Sequence, residues 1–103
     1  MTQKKNLLSC LNEKVNKMKS IEEKYDYCLR ITKDCLEKAE ITDKKGELLL
    51  KWAKDYYKDA AYYYSKKDFS TALEAIAYAH GFIDAGVLLG FIKINDYHLE
   101  KEF

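Results

Sequence analysis

The chain has 103 residues, enough for one domain built on a single core. Apolar residues make up 48% of it and charged residues 34%, with a net charge of +1, which excludes a disordered chain. Arg30 is the only Arg among eighteen basic residues, which argues against a nucleic-acid binder resting on a basic, Arg-rich patch. The three Cys, at 10, 28 and 35, are odd in number and contain no CxxC pair. That pattern indicates neither a disulfide framework nor a zinc knuckle, and reduced, packed thiols in a cytoplasmic protein are expected.

The opening residues, MTQKKNLLSCLNEKVNKMK, hold only a short apolar run and no small-residue cleavage site, so a signal peptide is not expected. Leu8, Leu11, Val15 and Met18 give a first helical rhythm, and Ile21, Tyr25, Leu29, Thr32, Leu36 and Ala39 a second. Ser20 and Glu23 have capping-box spacing, which favours a new helix from Ile21. One helix from about Asn6 to Glu40 is the rival reading. Ile41 to Gly46 is a break, with Thr42 or Asp43 able to cap the next helix. That helix spans about 44–65, with Leu49, Ala53, Tyr56, Ala60 and Tyr63 as its seam and Trp52 beside it. Lys51, Lys54, Asp55, Lys58 and Tyr62 fall on the solvated side, and Glu47 pairs with Lys51.

Asp68 is placed to cap a third helix over 68–94. Phe69, Leu73, Ile76, His80, Ile83, Val87, Gly90 and Ile94 follow a 4-3-4-3 spacing along it, the seam of a left-handed bundle. Ala72, Ala75, Ala79, Gly86 and Gly90 make a second stripe of small residues. Ala75 to Ile92 is long enough for a membrane span, but His80 and Asp84 near its middle would be costly in lipid. A buried bundle helix is expected there instead. With no Pro and no strand-like alternation, the predicted fold is all-α: an up-and-down three-helix bundle over 21–94 (about 21–40, 44–65 and 68–94), an additional N-terminal helical arm over 1–20, and a polar tail over 95–103 expected to fray. SKKDFSTALEAIAYA is similar to half of a tetratricopeptide hairpin, but one unit cannot make a solenoid.

Candidate chemistry is sparse. His80 and Asp84, at i and i+4, have the spacing of a metal pair or of a general base with its orienting acid. No further ligand or nucleophile stands near them in sequence, and a His hydrogen-bonded to Asp84 or to a facing Tyr is the plainer expectation. No catalytic residue, metal or cofactor is predicted. Gly86-x-x-x-Gly90 is a close-contact motif rather than a phosphate loop. It serves packing inside one chain or, as the functional reading, across a two-fold axis, with Ala79, Phe82, Gly86, Leu89, Gly90 and Phe91 as the helix-contact surface of a homodimer. Nine Tyr is a high count, and Tyr57, Tyr62 and Tyr64 are expected at the rim. Beside Lys54, Lys58, Lys66 and Lys67 they form an alternative edge for a nucleotide or single-stranded RNA, against a plainer reading as amphipathic rim residues.

The runs Tyr56-Tyr57-Lys58-Asp59-Ala60, Lys66-Lys67-Asp68-Phe69, Ala72-Leu73, Tyr78 to Val87 and Leu89-Gly90-Phe91 resemble a small archaeal family, domain-of-unknown-function family 357. The likeness covers about Ile21 to Phe91 and is strongest over Asp68 to Phe91. It implies a cytoplasmic three-helix bundle and no established activity. Lys67 stands where that family commonly has Gly, and Met1 to Ser20 extends beyond its usual core. A more distant likeness is to the helical nucleotide-binding domains of prokaryotic toxin–antitoxin systems. Their ribonuclease members resemble one another in an Arg and a His separated by four to six residues, and neither His here follows Arg30 at that distance.

Overall fold

The computed structural model describes residues 20–97. Three helices dominate: α1 (Ile21–Lys38), α2 (Lys44–Ser65) and α3 (Phe69–Leu88). Two short strands, β1 (Glu40–Ile41) and β2 (Ile92–Lys93), pair antiparallel with Glu40 opposite Lys93 and Ile41 opposite Ile92. The architecture is an all-α three-helix bundle in which α2 and α3 form the main hairpin and α1 packs chiefly on α3. No helix among the described residues is long and apolar enough to cross a membrane.

Local chemistry sets each boundary. Ser20 is extended (φ −117°, ψ 156°) and its hydroxyl accepts a 3.1 Å bond from the Glu23 amide, so α1 begins after it. A helix running unbroken through Ser20 is ruled out; residues 1–19, including the first apolar rhythm and Cys10, lie outside the described residues. Asp26–Arg30 (3.4 Å) and Asp34–Lys38 (3.0 Å) pair along the exposed side of α1. Asp43 caps α2 by accepting from the Lys45 amide at 2.8 Å, and Asp68 caps α3 by accepting from the Thr71 amide at 3.3 Å.

Both long helices end in a Schellman motif. At the end of α2 the Lys67 amide donates to Tyr64 O and the Asp68 amide to Tyr63 O, with Lys67 left-handed at φ 64°. A Lys there bears the Cβ crowding that Gly avoids, which is the physical reason Gly suits this turn. At the end of α3 the Gly90 amide donates to Val87 O and the Phe91 amide to Gly86 O, with Gly90 at φ 77°. The helix therefore ends at Leu88 and does not reach residue 94. The 4-3-4-3 spacing runs past this point because Gly90 followed by Phe91 is a stop signal that happens to fall on the same rhythm.

Beyond the stop the chain folds back. Ile92 is buried against Gly86, and Ile94 and Tyr97 pack on the cluster of Cys35, Ala53 and Ile83. The start of the expected tail is thus anchored through Tyr97; residues 98–103 lie outside the described residues. The second cluster joins Tyr25 and Cys28 of α1 to Ala60 of α2 and to Ala72, Ala75, Ile76 and Ala79 of α3. Ile76 and Ile83 are fully buried, each contributing about 1.5–3 kcal/mol by leaving water. Cys28 and Cys35 are free and buried, and burial pushes both thiols up to about 11, so they are protonated and unreactive at neutral pH.

The seam of α2 is rotated from its sequence reading. Gly46, Leu50, Ala53 and Ala60 are buried, whereas Trp52 and Tyr63 are exposed. Tyr57 and Tyr64 turn toward α1: Tyr57 packs on the core, and Tyr64 stacks on Tyr25 with ring centroids 4.4 Å apart. Lys51 reaches forward to Asp55 at 3.1 Å in place of the expected partner Glu47.

Candidate interaction face

Along the seam of α2 and α3, on the edge that α1 leaves uncovered, four aromatic rings meet. Trp52 lies edge-on to Phe82 (5.4 Å, 78°), Tyr56 stacks on Phe82 (5.6 Å, 23°), and Tyr78 packs on Tyr56 (5.4 Å). Helical spacing explains the arrangement. Leu48, Trp52 and Tyr56 recur every four residues on α2, while Tyr78, Phe82 and Leu89 recur at four and seven on α3. Phe82 and Tyr56 are half-buried with their inner edges on the core. The outer members are open to solvent: Trp52 is 44% exposed, Tyr78 61% and Leu89 60%. A cleft of about 350 Å³ opens between Trp52, Tyr56 and Phe82, and the carboxyl-bearing Asp55 and Asp59 complete its lining. A larger hollow, about 710 Å³, lies beside β2 and is lined in part by Thr42, Leu88, Lys93 and Tyr97.

The residues expected to make a helix-contact surface separate. Phe82 and Leu89 stand on the aromatic edge. Ala79 is fully buried inside the bundle. Gly86 is buried too, and its small size serves Ile92 of the same chain: a Cβ there would lie 2.8 Å from Ile92 Cγ1. The close-contact motif is therefore spent on intrachain packing, and it is a correction to the two-fold reading that Gly86 faces inward. Gly90 is the left-handed residue that stops α3, and Phe91 is half-buried with the Lys45 ammonium 5.3 Å from its ring centroid. Trp52 and Tyr78, which complete the edge, were legible only as a Trp beside the seam and a Tyr on the third helix.

His80 and Asp84 do not act as a pair. His80 is 1% exposed and neither ring nitrogen has a partner among the described residues; burial lowers its pKa to about 4, so the ring is neutral. Asp84 instead accepts a hydrogen bond from the Tyr97 hydroxyl. Burial raises the Asp84 pKa, and the Tyr97 bond opposes that rise. The expected His80–Asp84 or His80–Tyr bond is therefore replaced by a bond from the tail. Tyr97 had no sequence signal beyond a lone aromatic after a polar turn. Thr32 of α1 is also fully buried, and its hydroxyl has no partner among the described residues. Among the described residues no three His, Cys, Asp or Glu side chains converge in a way that would hold a metal ion.

The alternative Tyr and Lys edge is also divided. Tyr57 and Tyr64 are engaged toward α1, as above. Tyr62 remains 57% exposed, with the Lys66 ammonium 5.5 Å from its ring centroid. Lys54 and Lys58 lie around a separate shallow depression with Glu47 and Asp55, and Lys67 occupies the turn.

A small three-helix bundle with a solvent-facing aromatic edge is the class of protein this geometry defines. The sequence profile described as protein of unknown function (DUF357) matches residues 27–92, and the chain belongs to that family. No curated protein and no solved structure matches the chain significantly.

Proposed function

We propose that this chain is a non-catalytic interaction and assembly module that self-associates through the aromatic edge of the α2–α3 hairpin. The observation that carries the reading is the placement of Trp52 and Tyr78, large rings held outside the buried core. Exposed Trp and Tyr anchored on half-buried rings are the residue types that dominate protein interfaces. Leu48 and Leu89, also about half exposed or more, extend the apolar edge at either side. The nucleotide or single-stranded RNA reading has less support, because two of its three Tyr rings are engaged inside the chain.

Sedimentation equilibrium of the full chain at about 100 μM tests the proposal, since an association with a Kd near 10 μM is then well populated. A dimer is expected, with Trp52→Ala reducing it to monomer at unchanged helical content. A strictly monomeric parent at that concentration removes the self-association reading.

A further inference from the structure

The cleft on the aromatic edge is not purely apolar. Asp55 and Asp59 stand one helical turn apart on α2 and line it together with Trp52, Tyr56 and Phe82. Asp55 holds one exposed ion pair with Lys51, and Asp59 holds none among the described residues. An exposed Trp ring next to two carboxylates attracts a cation twice over, through the ring quadrupole and through charge. Elsewhere the chain already places ammonium groups over rings, Lys45 on Phe91 and Lys66 on Tyr62. The occupant this cleft fits therefore combines apolar side chains with lysines.

The sequence contains such a segment. Residues 1–19 carry five Lys against the single Glu13, whereas residues 20–97 carry twelve basic and fourteen acidic side chains. Lys14 and Lys17 interleave with Leu11, Val15 and Met18. The charges of the two parts are opposite in sign, +4 before Ser20 and −2 over residues 20–97. Nineteen residues, if helical, span about 28 Å, and the α2 helix of 22 residues about 33 Å, so the lengths match. Resting on the self-association reading, we propose that the segment before Ser20 of one copy binds the α2–α3 edge of a second copy, with a lysine ammonium held between Trp52, Asp55 and Asp59.

Reciprocal charge reversal in the full chain tests this. Two variants are made, Asp55→Lys/Asp59→Lys on the edge and Lys14→Glu/Lys17→Glu in the segment, and association is measured by sedimentation. Trp52 is the only Trp in the chain, so its emission reports on the cleft directly. Each variant alone should associate at least about tenfold more weakly than the parent. An equimolar mixture of the two should regain parental association, because each segment then meets an edge of opposite charge, and Trp52 emission should shift to the blue on mixing. Circular dichroism of each variant checks that the helices persist. If both variants dimerise like the parent, the segment is not the occupant and the edge pairs by another surface, while the self-association reading stands. If the mixture shows no recovery, the charge pairing is wrong. If every form is monomeric yet segment reversal alone shifts Trp52 emission, the segment binds within its own chain and the exchange between copies is overturned together with self-association.

Discussion

The α2–α3 hairpin has an inner edge that receives α1 and an outer edge that receives nothing among the described residues, and the two edges sort side chains by size in an unusual way. The inner side is lined by Ala53, Ala60, Ala72, Ala75 and Ala79, and the larger groups that fill it come partly from α1 and β2: Tyr25, Cys28, Cys35 and Ile92. The outer edge carries Trp52, Tyr56, Tyr78 and Phe82. Small residues let backbones approach closely, so the inner edge depends on shape and tolerates little added volume. The outer edge has room for added volume, and its exposed members Trp52 and Tyr78 should give up less fold stability when trimmed than side chains buried in the core. On the proposed reading, stability and recognition fall to opposite sides of the same two helices.

The glycines give the sharpest way to break that comparison. A Cβ on Gly46 would lie 2.9 Å from the Phe91 carbonyl carbon and closer still to its oxygen, and that oxygen already accepts from the Thr42 amide at 3.0 Å. Backbone cannot step aside as a side chain does. Gly46→Ala should therefore cost about 3 kcal/mol or more in urea unfolding, despite the roughly 1 kcal/mol that Ala offers a helix. Gly86→Ala meets first the Ile92 side chain rather than backbone and should cost about 1–3 kcal/mol. A Gly46→Ala protein as stable as the parent would mean that the β1–β2 clasp does not seat on the start of α2.

His80 tests whether the inner edge is dry. Its folded pKa is lowered to about 4 from the ordinary 6.5 by burial, so the unfolded chain binds the proton more readily. The contribution of neutral His80 is complete above pH 6.5, declines as pH falls, and is lost through about pH 4, a change of roughly 3 kcal/mol at most. Asp84 acts in the opposite sense, because burial raises its pKa and favours its protonated form in the folded state. Unfolding free energies measured at pH 7 and at pH 4.5 should fall on acidification, and His80→Leu should flatten that slope. Because neither ring nitrogen has a partner among the described residues, the same substitution should leave stability at pH 7 unchanged or about 1 kcal/mol higher. A large loss at pH 7 would instead reveal a hydrogen bond made by His80.

These sites also show what sequence reading reaches. Helix starts were legible because Ser20, Asp43 and Asp68 act through bonds to amides two or three residues away. The bundle itself was legible from another local signal, a rhythm of 3.6 residues, and the packed thiols from an odd Cys count without a CxxC pair. The third helix was read six residues too long because Gly90 acts as a stop only through its left-handed backbone, which periodicity does not register. Tyr97 on Asp84, Ile92 on Gly86 and Tyr64 on Tyr25 are contacts over 6 to 39 residues that only the tertiary fold decides. The rotation of the α2 seam follows from the last of these. Five Tyr in nine positions offer several possible seams, and α1 selects Tyr57 and Tyr64 by packing on them.

The smallest effect belongs to Gly81, which lies on the exposed side of α3 with no atom of the described residues within 4 Å of where a Cβ would stand. It neither adopts a left-handed conformation nor admits a neighbour. Its only consequence is the extra backbone freedom that the unfolded chain loses on folding. Gly81→Ala should therefore raise stability by about 0.5–1 kcal/mol, the reverse in sign of the change at Gly46 and Gly86 on the closely packed side. Urea unfolding of the two single variants and of Gly46→Ala/Gly81→Ala together provides the check. The effects should add, because the two sites share no partner. A Gly81→Ala variant that loses stability would place an unseen neighbour over this surface of α3 and would end the division between a crowded side and an open one.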